Sequence, residues 1–212
     1  LRLQDNVILD TYLDTCDIVH FLAYDVGGAK YLEENQDKFD FINNNMRIMS
    51  NTFESIHKHK KPFIFASSQM SEMGYSSYGT LKALGGLIVR FWNVYGYEND
   101  PDKSHVITDF IKMAKKDGII KMRTDGTESR QFLYAEDACE ALLALSKKYN
   151  DLDKNQDYCI TSFKWNKVYE IANILDVLSS CETIPSDKKD KTQRNAMNEP
   201  DPYIKKYWQP KT

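Results

Sequence analysis

Three short apolar segments, each followed by a polar or glycine-rich turn, most constrain the fold of this chain. They cover residues 17–23, 62–66 and 87–91. Apolar runs of this length are typical of strands that are buried on both faces of a parallel sheet. Between the first two segments, apolar side chains recur at helical spacing at Ile42, Met46, Met49, Phe53 and Ile56. Strand, helix and strand in this order predict an open α/β sheet.

The turns that follow these strands carry the polar and glycine residues of this half of the chain. Residues 24–28 follow the first strand, Ser67-Ser68 end the second, and Asn93 follows the third. In open α/β sheets, ligands bind beyond the carboxyl ends of the strands. We therefore expect the functional site at this edge of the sheet.

The second half of the chain has shorter segments of mixed type. Helices are predicted for residues 108–116, 135–148 and 167–178, and strands for residues 119–122, 131–134 and 157–160. Residues 185–202 are charged and poor in apolar side chains, which predicts a loop or an extended surface segment. His105 precedes the first of these helices, so a capping or surface position is favoured for it over a catalytic one.

Composition narrows the class of protein. The chain has 212 residues, of which 42% are apolar, and a net charge of -3 with both signs interspersed, which argues against a nucleic-acid or membrane-surface binder. No apolar run approaches the ~18 residues of a transmembrane helix. Residues 1–5 do not resemble a signal peptide, and the four cysteines and four histidines lack metal-ligand spacing. We expect a cytoplasmic protein without a metal site.

Tyr78 and Lys82 stand four residues apart, shortly after Ser67-Ser68. Residues at this spacing lie on one face of a helix, although the same pair also occurs in solvated helices. An ammonium about 4 Å from a phenol, at an effective dielectric constant of about 20, would lower the tyrosine pKa by about 3 units. Such a tyrosine can act as a general acid or base near neutral pH. The pattern predicts proton transfer to or from a hydroxyl or carbonyl.

Taken together and in order, these motifs resemble the extended short-chain dehydrogenase/reductase family, specifically its nucleotide-sugar epimerases and dehydratases. The matching positions are Phe21-Leu22-Ala23, Asn45, Ser67-Ser68, Tyr78 with Lys82, residues 90–96, residues 125–137 and Trp208-Gln209-Pro210. The resemblance covers nearly the whole chain. It implies a doubly wound, Rossmann-type parallel sheet in residues 1–96, and a smaller, mainly substrate-binding lobe, interleaved with the sheet, in residues 97–212.

The resemblance also implies the roles of the catalytic residues. Tyr78 would be the acid/base, and Lys82 would bind the nicotinamide ribose and lower the Tyr78 pKa. Ser68 would hold the reacting sugar oxygen.

Further positions would bind the cofactor and the substrate. The implied cofactor is NAD, with NADP as an alternative, and the cofactor-binding residues would be Leu22, Ala23, Asn45 and Ser67 together with Tyr78 and Lys82. Asn93 and Arg130 would contact a nucleotide sugar, Arg130 through its diphosphate, unless Arg130 only forms an ion pair with Glu128 or Asp137. A homodimer is expected by resemblance alone.

Two features depart from the family pattern. The glycine-rich turn that holds the dinucleotide pyrophosphate is absent, and the family places it before residue 1. Only four residues separate Lys82 from the strand at Leu87, whereas a helix that carries Tyr78 and Lys82 would normally run for ~10 residues or more before a turn. We therefore expect that the sequence omits natural segments at both places.

The residues after Ser68 bear on the type of reaction. Gln69-Met70 stand where the 4,6-dehydratases of the family carry Asp-Glu, and Gln69 stands where the 3,5-epimerases carry a cysteine. By elimination, a C4 epimerase that works through a keto-sugar fits best. The alternatives are a net keto-sugar-nucleotide reductase, a 4,6-dehydratase and a non-catalytic dinucleotide-sensing module. The base and the sugar stay open at this stage.

Overall fold

The computed structural model describes residues 6–84, 88–191 and 198–211. Its α-helices are α1 (Asn6–Leu13), α2 (Ala29–Asn35), α3 (Phe39–Lys58), α4 (Ser77–Lys82), α5 (Val106–Asp117), α6 (Ala135–Lys147) and α7 (Val168–Ser179). Its strands are β1 (Val19–Phe21), β2 (Phe63–Ser68), β3 (Ile88–Phe91), β4 (Asn93–Tyr95), β5 (Ile119–Lys121), β6 (Ser129–Arg130), β7 (Phe132–Tyr134), β8 (Tyr158–Ile160), β9 (Asn166–Lys167) and β10 (Glu182–Ile184). Short 3-10 turns cover Gln69–Glu72, Tyr149–Asp151 and Pro202–Lys206.

The central sheet is parallel and contains four strands in the order β1-β2-β3-β8. Phe65 of β2 is opposite Phe21 on one side and Ile88 on the other. All four strands therefore run the same way, and their carboxyl ends meet at one edge. Ser68, the last residue of β2, lies at that edge opposite Phe91, so the turns after β2 and β3 begin side by side.

Helices cover both faces of this sheet. Because successive side chains of a strand point to opposite faces, Ile64 and Phe65 enter different cores, and both are fully buried. Phe65 packs with Met49 and Phe53 of α3, whereas Ile64 packs with Leu145 of α6. This layering confirms the predicted α/β fold with a doubly wound parallel sheet.

A second core lies in the other half of the chain. It joins α5, α7, β5 and β7 around Phe110, Ile120, Phe132 and Ala172, which are all buried. Outside the central sheet, β5 pairs with β10 and β4 with β7 in parallel, and β6 pairs with β9 in antiparallel fashion. Strand β8 belongs to this half of the chain but completes the central sheet, so the chain crosses between the two cores.

Most predicted elements are confirmed, with shifts of a few residues at their ends. The predictions are confirmed for α3, α5, α6 and α7 and for β1, β2, β3, β5, β7 and β8. The sequence analysis did not predict α1, α2, β4, β6, β9 or β10. Residues 185–191 and 198–201 are irregular, as expected. The predicted start of the third strand at Leu87, the short link at residues 85–87 and residues 1–5 lie outside the described residues.

No helix in the described part of the chain is both long enough and apolar enough to cross a membrane.

Helix α4 is short, and its position depends on close packing against the turn after β2. The Ser76 hydroxyl caps the helix by accepting a hydrogen bond from the Gly79 backbone N–H at 3.0 Å. A Cβ added to Gly79 would lie 2.0 Å from the backbone oxygen of Met70. Only glycine therefore permits this approach, which brings Tyr78 next to the end of β2.

Gly79→Ala should destabilise the protein by about 1–3 kcal/mol, because backbone atoms must shift to make room for the methyl group. Gly74→Ala is the matched control, since an added Cβ at Gly74 meets no atom within 4 Å. We expect that control to change the free energy of unfolding by less than about 0.5 kcal/mol in denaturant titrations. Equal stability of the two variants would contradict the packing argument.

Candidate functional site

One cavity at the carboxyl edge of the sheet brings together four of the predicted site residues. Ser68, Tyr78, Asn93 and Arg130 all line it. Ser68 ends β2, Tyr78 lies on α4, Asn93 begins β4 and Arg130 ends β6. The cavity therefore combines residues at and next to the carboxyl edge of the central sheet with Arg130 from the second half of the chain.

Tyr78 is buried in this cavity, with only 7% of its surface exposed. Burial raises the pKa of Tyr78 to about 12, although a hydrogen bond with Ser68 acts in the opposite direction. The Ser68 hydroxyl also accepts a hydrogen bond from the Met70 backbone N–H at 3.2 Å. This contact and the link to Tyr78 place the serine and tyrosine hydroxyls next to each other.

Lys82 lies behind Tyr78 and is tied to strand β2. Its Nζ donates a hydrogen bond to the Ala66 backbone oxygen at 2.6 Å, and the Ser67 hydroxyl donates to the Lys82 backbone oxygen at 2.8 Å. Burial lowers the pKa of Lys82 to about 7. The ammonium is 6.0 Å from the centre of the Tyr78 ring. The expectation that Lys82 lowers the Tyr78 pKa is therefore wrong for this structure, in which burial of the phenol dominates.

Tyr24, in the turn after β1, is a neighbour of Lys82 that the sequence analysis did not single out. The Lys82 ammonium lies 3.7 Å from the centre of the Tyr24 ring, and the rings of Tyr24 and Tyr78 meet edge to face at 5.9 Å. The Tyr24 hydroxyl donates to the sulfur of Met49 at 3.6 Å. Burial, and to a smaller degree Tyr78, raises the pKa of Tyr24. Its aromatic face thus stabilises the buried ammonium.

The predicted cofactor residues around β1 divide into two groups. Leu22 follows β1 directly and is 49% exposed, and Ala23 is half-buried beside it. Asn45 is fully buried, and its side chain bonds the backbone of Asp25 twice, accepting from N at 2.7 Å and donating to O at 3.1 Å. Asn45 therefore holds the turn after β1 in place rather than facing the cavity.

Asn93 and Arg130 already have protein partners in the cavity. The Asn93 side-chain oxygen accepts a hydrogen bond from the Gln69 amide at 3.4 Å. Arg130 donates to the Ser129 backbone oxygen at 2.7 Å and forms an ion pair with Asp190. Among the described residues, the ion-pair partner found for Arg130 is Asp190, from the loop after β10, in place of the expected Glu128 or Asp137.

His105 also lines the cavity, a position that the sequence analysis did not predict. It is the residue before α5, as expected, but its side chain makes no capping hydrogen bond. Its Nδ1 instead contacts the carboxylate of Glu98, which also accepts from the His105 backbone N–H at 2.9 Å. The sequence contained a sign of this pair, because Glu98 and His105 lie at the two ends of one short loop. Only the fold shows that this loop reaches the cavity.

The residues present fit a nicotinamide dinucleotide. An ammonium carries three N–H donors, and the hydrogen bond to Ala66 uses one of them, so Lys82 keeps donors for ribose hydroxyls. The exposed side chain of Leu22 offers an apolar surface at the end of β1. Among the described residues, no cluster of three or more histidines, cysteines or acidic residues could hold a metal ion.

The sequence profile of the NAD dependent epimerase/dehydratase family matches residues 69–161. Those residues belong to this family. The matched segment includes Tyr78, Lys82, Asn93 and Arg130, and Ser68 directly precedes it.

Individual proteins extend this similarity. A trifunctional enzyme of Arabidopsis thaliana, named as a UDP-glucose 4,6-dehydratase, UDP-4-keto-6-deoxy-D-glucose 3,5-epimerase and UDP-4-keto-L-rhamnose-reductase, is 30% identical over 113 residues. That match covers 53% of this chain and spans only 16% of the length of the plant enzyme.

Solved structures of epimerases share the fold over the whole chain. An epimerase of Methanothermobacter thermautotrophicus superimposes with a TM-score of 0.81 at 17% identity, over 100% of this chain and 72% of that one. The UDP-glucose 4-epimerase of Thermotoga maritima, solved with UDP-glucose, gives a TM-score of 0.80 at 18% identity, over 100% of this chain and 78% of that one. The folds of this chain and of these epimerases are therefore the same.

Replacing Tyr24 should change the pKa of Lys82 from its value of about 7. A cation–π contact favours the charged ammonium by about 0.5–2 kcal/mol, so its loss in Tyr24→Leu should lower that pKa by about one unit. Tyr24→Phe keeps the aromatic face and should leave the pKa unchanged. The measurement is an NMR titration of the lysine ε-carbon, assigned with Lys82→Arg. A Lys82 pKa in Tyr24→Leu equal to that of the natural protein would refute the role of the ring.

Proposed function

We propose that this chain is the catalytic part of an NAD-dependent nucleotide-sugar epimerase that acts through a transient keto-sugar, with C4 as the favoured position. The observation that carries the proposal is the single cavity lined by Ser68, Tyr78, Asn93 and Arg130. It combines two neighbouring hydroxyls for a sugar oxygen with an amide and a guanidinium for the rest of a sugar nucleotide. The family match of residues 69–161 supports the same chemistry.

In the proposed reaction, Tyr78 exchanges a proton with the sugar hydroxyl that becomes the keto oxygen. The Ser68 hydroxyl, hydrogen-bonded to Tyr78, holds the same oxygen. The bound dinucleotide would supply hydride acceptance and return, and Lys82 would hold its ribose. With a pKa of about 12, Tyr78 is protonated at neutral pH and is prepared to donate its proton to a keto oxygen during reduction. Removal of the sugar proton would require the Lys82 charge to act on the phenol more strongly than in this structure.

Arg130 is the proposed contact for the diphosphate. Its ion pair with Asp190 is largely shielded from water, with 12% and 11% of the two side chains exposed. A guanidinium binds carboxylate and phosphate oxygens in the same forked geometry. We therefore propose that substrate diphosphate takes the place of the Asp190 carboxylate when a nucleotide sugar binds.

Gln69 favours epimerisation over dehydration. Its amide lies in the cavity and donates to Asn93, at a position where a carboxylate would be needed for elimination of water.

A net reductase of keto-sugar nucleotides is the second candidate, because the same hydroxyl pair would serve a single hydride transfer. A non-catalytic sensor is disfavoured, since it would not need Ser68, Tyr78 and Lys82 together.

The proposal also covers the domains, the oligomeric state and the cellular location of the protein. We assign residues 1–96 to cofactor binding and residues 97–212 mainly to substrate binding. We further propose that the protein is a homodimer in the cytoplasm. The exposed side chains of Phe39 and Met46, seven residues apart on α3, support a helix-mediated contact between two copies. Light scattering after size exclusion would test this, and a monomer at micromolar concentration would count against it.

The full-length gene product should be incubated with NAD and a panel of nucleotide sugars. NADH absorbance and NMR spectra of the sugars would be recorded together. An epimerised sugar without net NADH would support the epimerase, whereas net NADH formation or consumption would favour the reductase. Cofactor binding without turnover of any sugar would favour the sensor.

Tyr78→Phe should lower kcat by about hundredfold or more, because the proton donor and acceptor is lost while the ring still packs. Tyr75→Phe is the matched control: it removes the same hydroxyl from a tyrosine that is 41% exposed and does not line the cavity. That control should keep full turnover. If Tyr78→Phe folded normally and turned over at the natural rate, the assignment of Tyr78 would be lost.

A further inference from the structure

The ammonium of Lys82, which is expected to hold the cofactor ribose, is enclosed in this structure. Lys82 is only 4% exposed, and it is not among the described residues that line the cavity of Ser68 and Tyr78. The Ala66 backbone oxygen uses one of its three N–H donors. The donors that remain are therefore shielded from a ligand in the cavity.

Three aromatic rings lie close to this ammonium. Nζ of Lys82 is 3.7 Å from the centre of the Tyr24 ring, 5.1 Å from that of Phe65 and 6.0 Å from that of Tyr78. Phe65 is fully buried in the central strand β2, and Tyr78 is buried on α4. Tyr24 differs from both, because it is half-buried and lies in the irregular turn after β1. The ring that covers the ammonium most closely is thus also the one that can leave.

The contacts around Tyr24 hold its backbone firmly and its side chain weakly. Asn45 bonds the backbone N and O of the next residue, Asp25, at 2.7 and 3.1 Å. The Tyr24 hydroxyl donates only to the sulfur of Met49, at 3.6 Å, and a thioether is a weak acceptor. The ring is otherwise held by packing and by the ammonium. Rotation of the side chain would therefore uncover Lys82 while the turn stays in place.

We propose that Tyr24 is a gate over Lys82 that the nicotinamide ribose displaces when the dinucleotide binds. This proposal rests on the proposed function for the identity of the cofactor. In the closed form the aromatic ring faces the ammonium, and in the open form the ribose hydroxyls accept hydrogen bonds from it instead. Tyr24 thus sets the affinity for the cofactor without contacting the reacting atoms, because each binding event includes displacement of the ring.

Chemical labelling of Lys82 tests the gate without any cofactor. The full-length gene product would be acetylated with acetic anhydride at about pH 8.5, and mass spectrometry would give the rate at Lys82. With a pKa of about 7, the Lys82 amine is neutral there, so a further lowered pKa cannot explain a faster reaction. Tyr24→Ala should react about tenfold faster than the natural protein or more, because local opening is no longer required. Tyr24→Phe keeps the ring and should react at the natural rate.

Two other side chains serve as internal references. Lys154 is exposed, although its ammonium lies 3.4 Å from the centre of the Tyr149 ring, so it should react at the same rate in every variant. Cys159 is buried, and its thiol should stay unreactive toward iodoacetamide. A reactive Cys159 in Tyr24→Ala would indicate general unfolding of that variant. The decision would then depend on the natural protein alone.

Cofactor binding to the natural full-length protein gives this second test. In its NMR spectra, the nuclear Overhauser effect between the Tyr24 ring and the Lys82 ε-protons should disappear on saturation with NADH. The dissociation constant of NADH, measured by its fluorescence, should also fall in Tyr24→Ala. We expect a fall of about 2- to 30-fold, the factor that corresponds to the loss of one cation–π contact.

The possible outcomes separate the gate from the proposed function. Equal labelling of Lys82 in the natural protein and in folded Tyr24→Ala would overturn the gate, and so would a Tyr24–Lys82 contact that persists with NADH bound. Displacement of Tyr24 by NADH without turnover of any nucleotide sugar would support the gate and count against the proposed function alone. If neither the natural protein nor Tyr24→Ala bound NADH, both proposals would be overturned.

Discussion

Two reciprocal hydrogen bonds between β2 and α4 support the candidate site. Lys82 donates from Nζ to the Ala66 backbone oxygen, and the Ser67 hydroxyl donates to the Lys82 backbone oxygen. Helix α4 has six residues, which is too short to be stable by itself. Its attachment to the central strand, together with the close approach of Gly79 to the turn after β2, fixes where Tyr78 lies. The hydroxyls of Ser68 and Tyr78 are adjacent because these contacts hold.

The same attachment sets the electrostatics of the site. Burial raises the pKa of Tyr78 to about 12 and lowers that of Lys82 to about 7, so both groups are shifted toward their neutral forms. The ring of Tyr24 and the Ala66 carbonyl partly offset the cost of burying the ammonium. The Lys82 charge therefore acts on Tyr24 more directly than on Tyr78, which sequence spacing alone could not show.

The second half of the chain supplies the polar groups on the other side of the cavity. Strand β6 presents Arg130, and the loop before α5 presents His105 with Glu98. The cavity thus has a hydroxyl pair anchored to the sheet and a histidine–glutamate pair anchored to the neighbouring helix. The proposed epimerase uses the hydroxyl pair from the sheet side of the cavity and Arg130 from the second half of the chain.

The sequence by itself determined the α/β fold. Short, uniformly apolar runs such as residues 62–66 are typical of strands that are buried on both faces, and the helical spacing of apolar side chains in α3 is typical of a helix with one apolar face. It also predicted Ser68, Tyr78, Asn93 and Arg130 as site residues from local motifs, and the structure brings these four to one cavity. Short elements such as β4 and β10 could not be predicted, because their pairing is long-range. Only the tertiary structure decided that His105 reaches the cavity, that Asp190 pairs with Arg130 and that burial raises the Tyr78 pKa. Contacts and desolvation depend on residues distant in sequence, and spacing along the chain does not encode them.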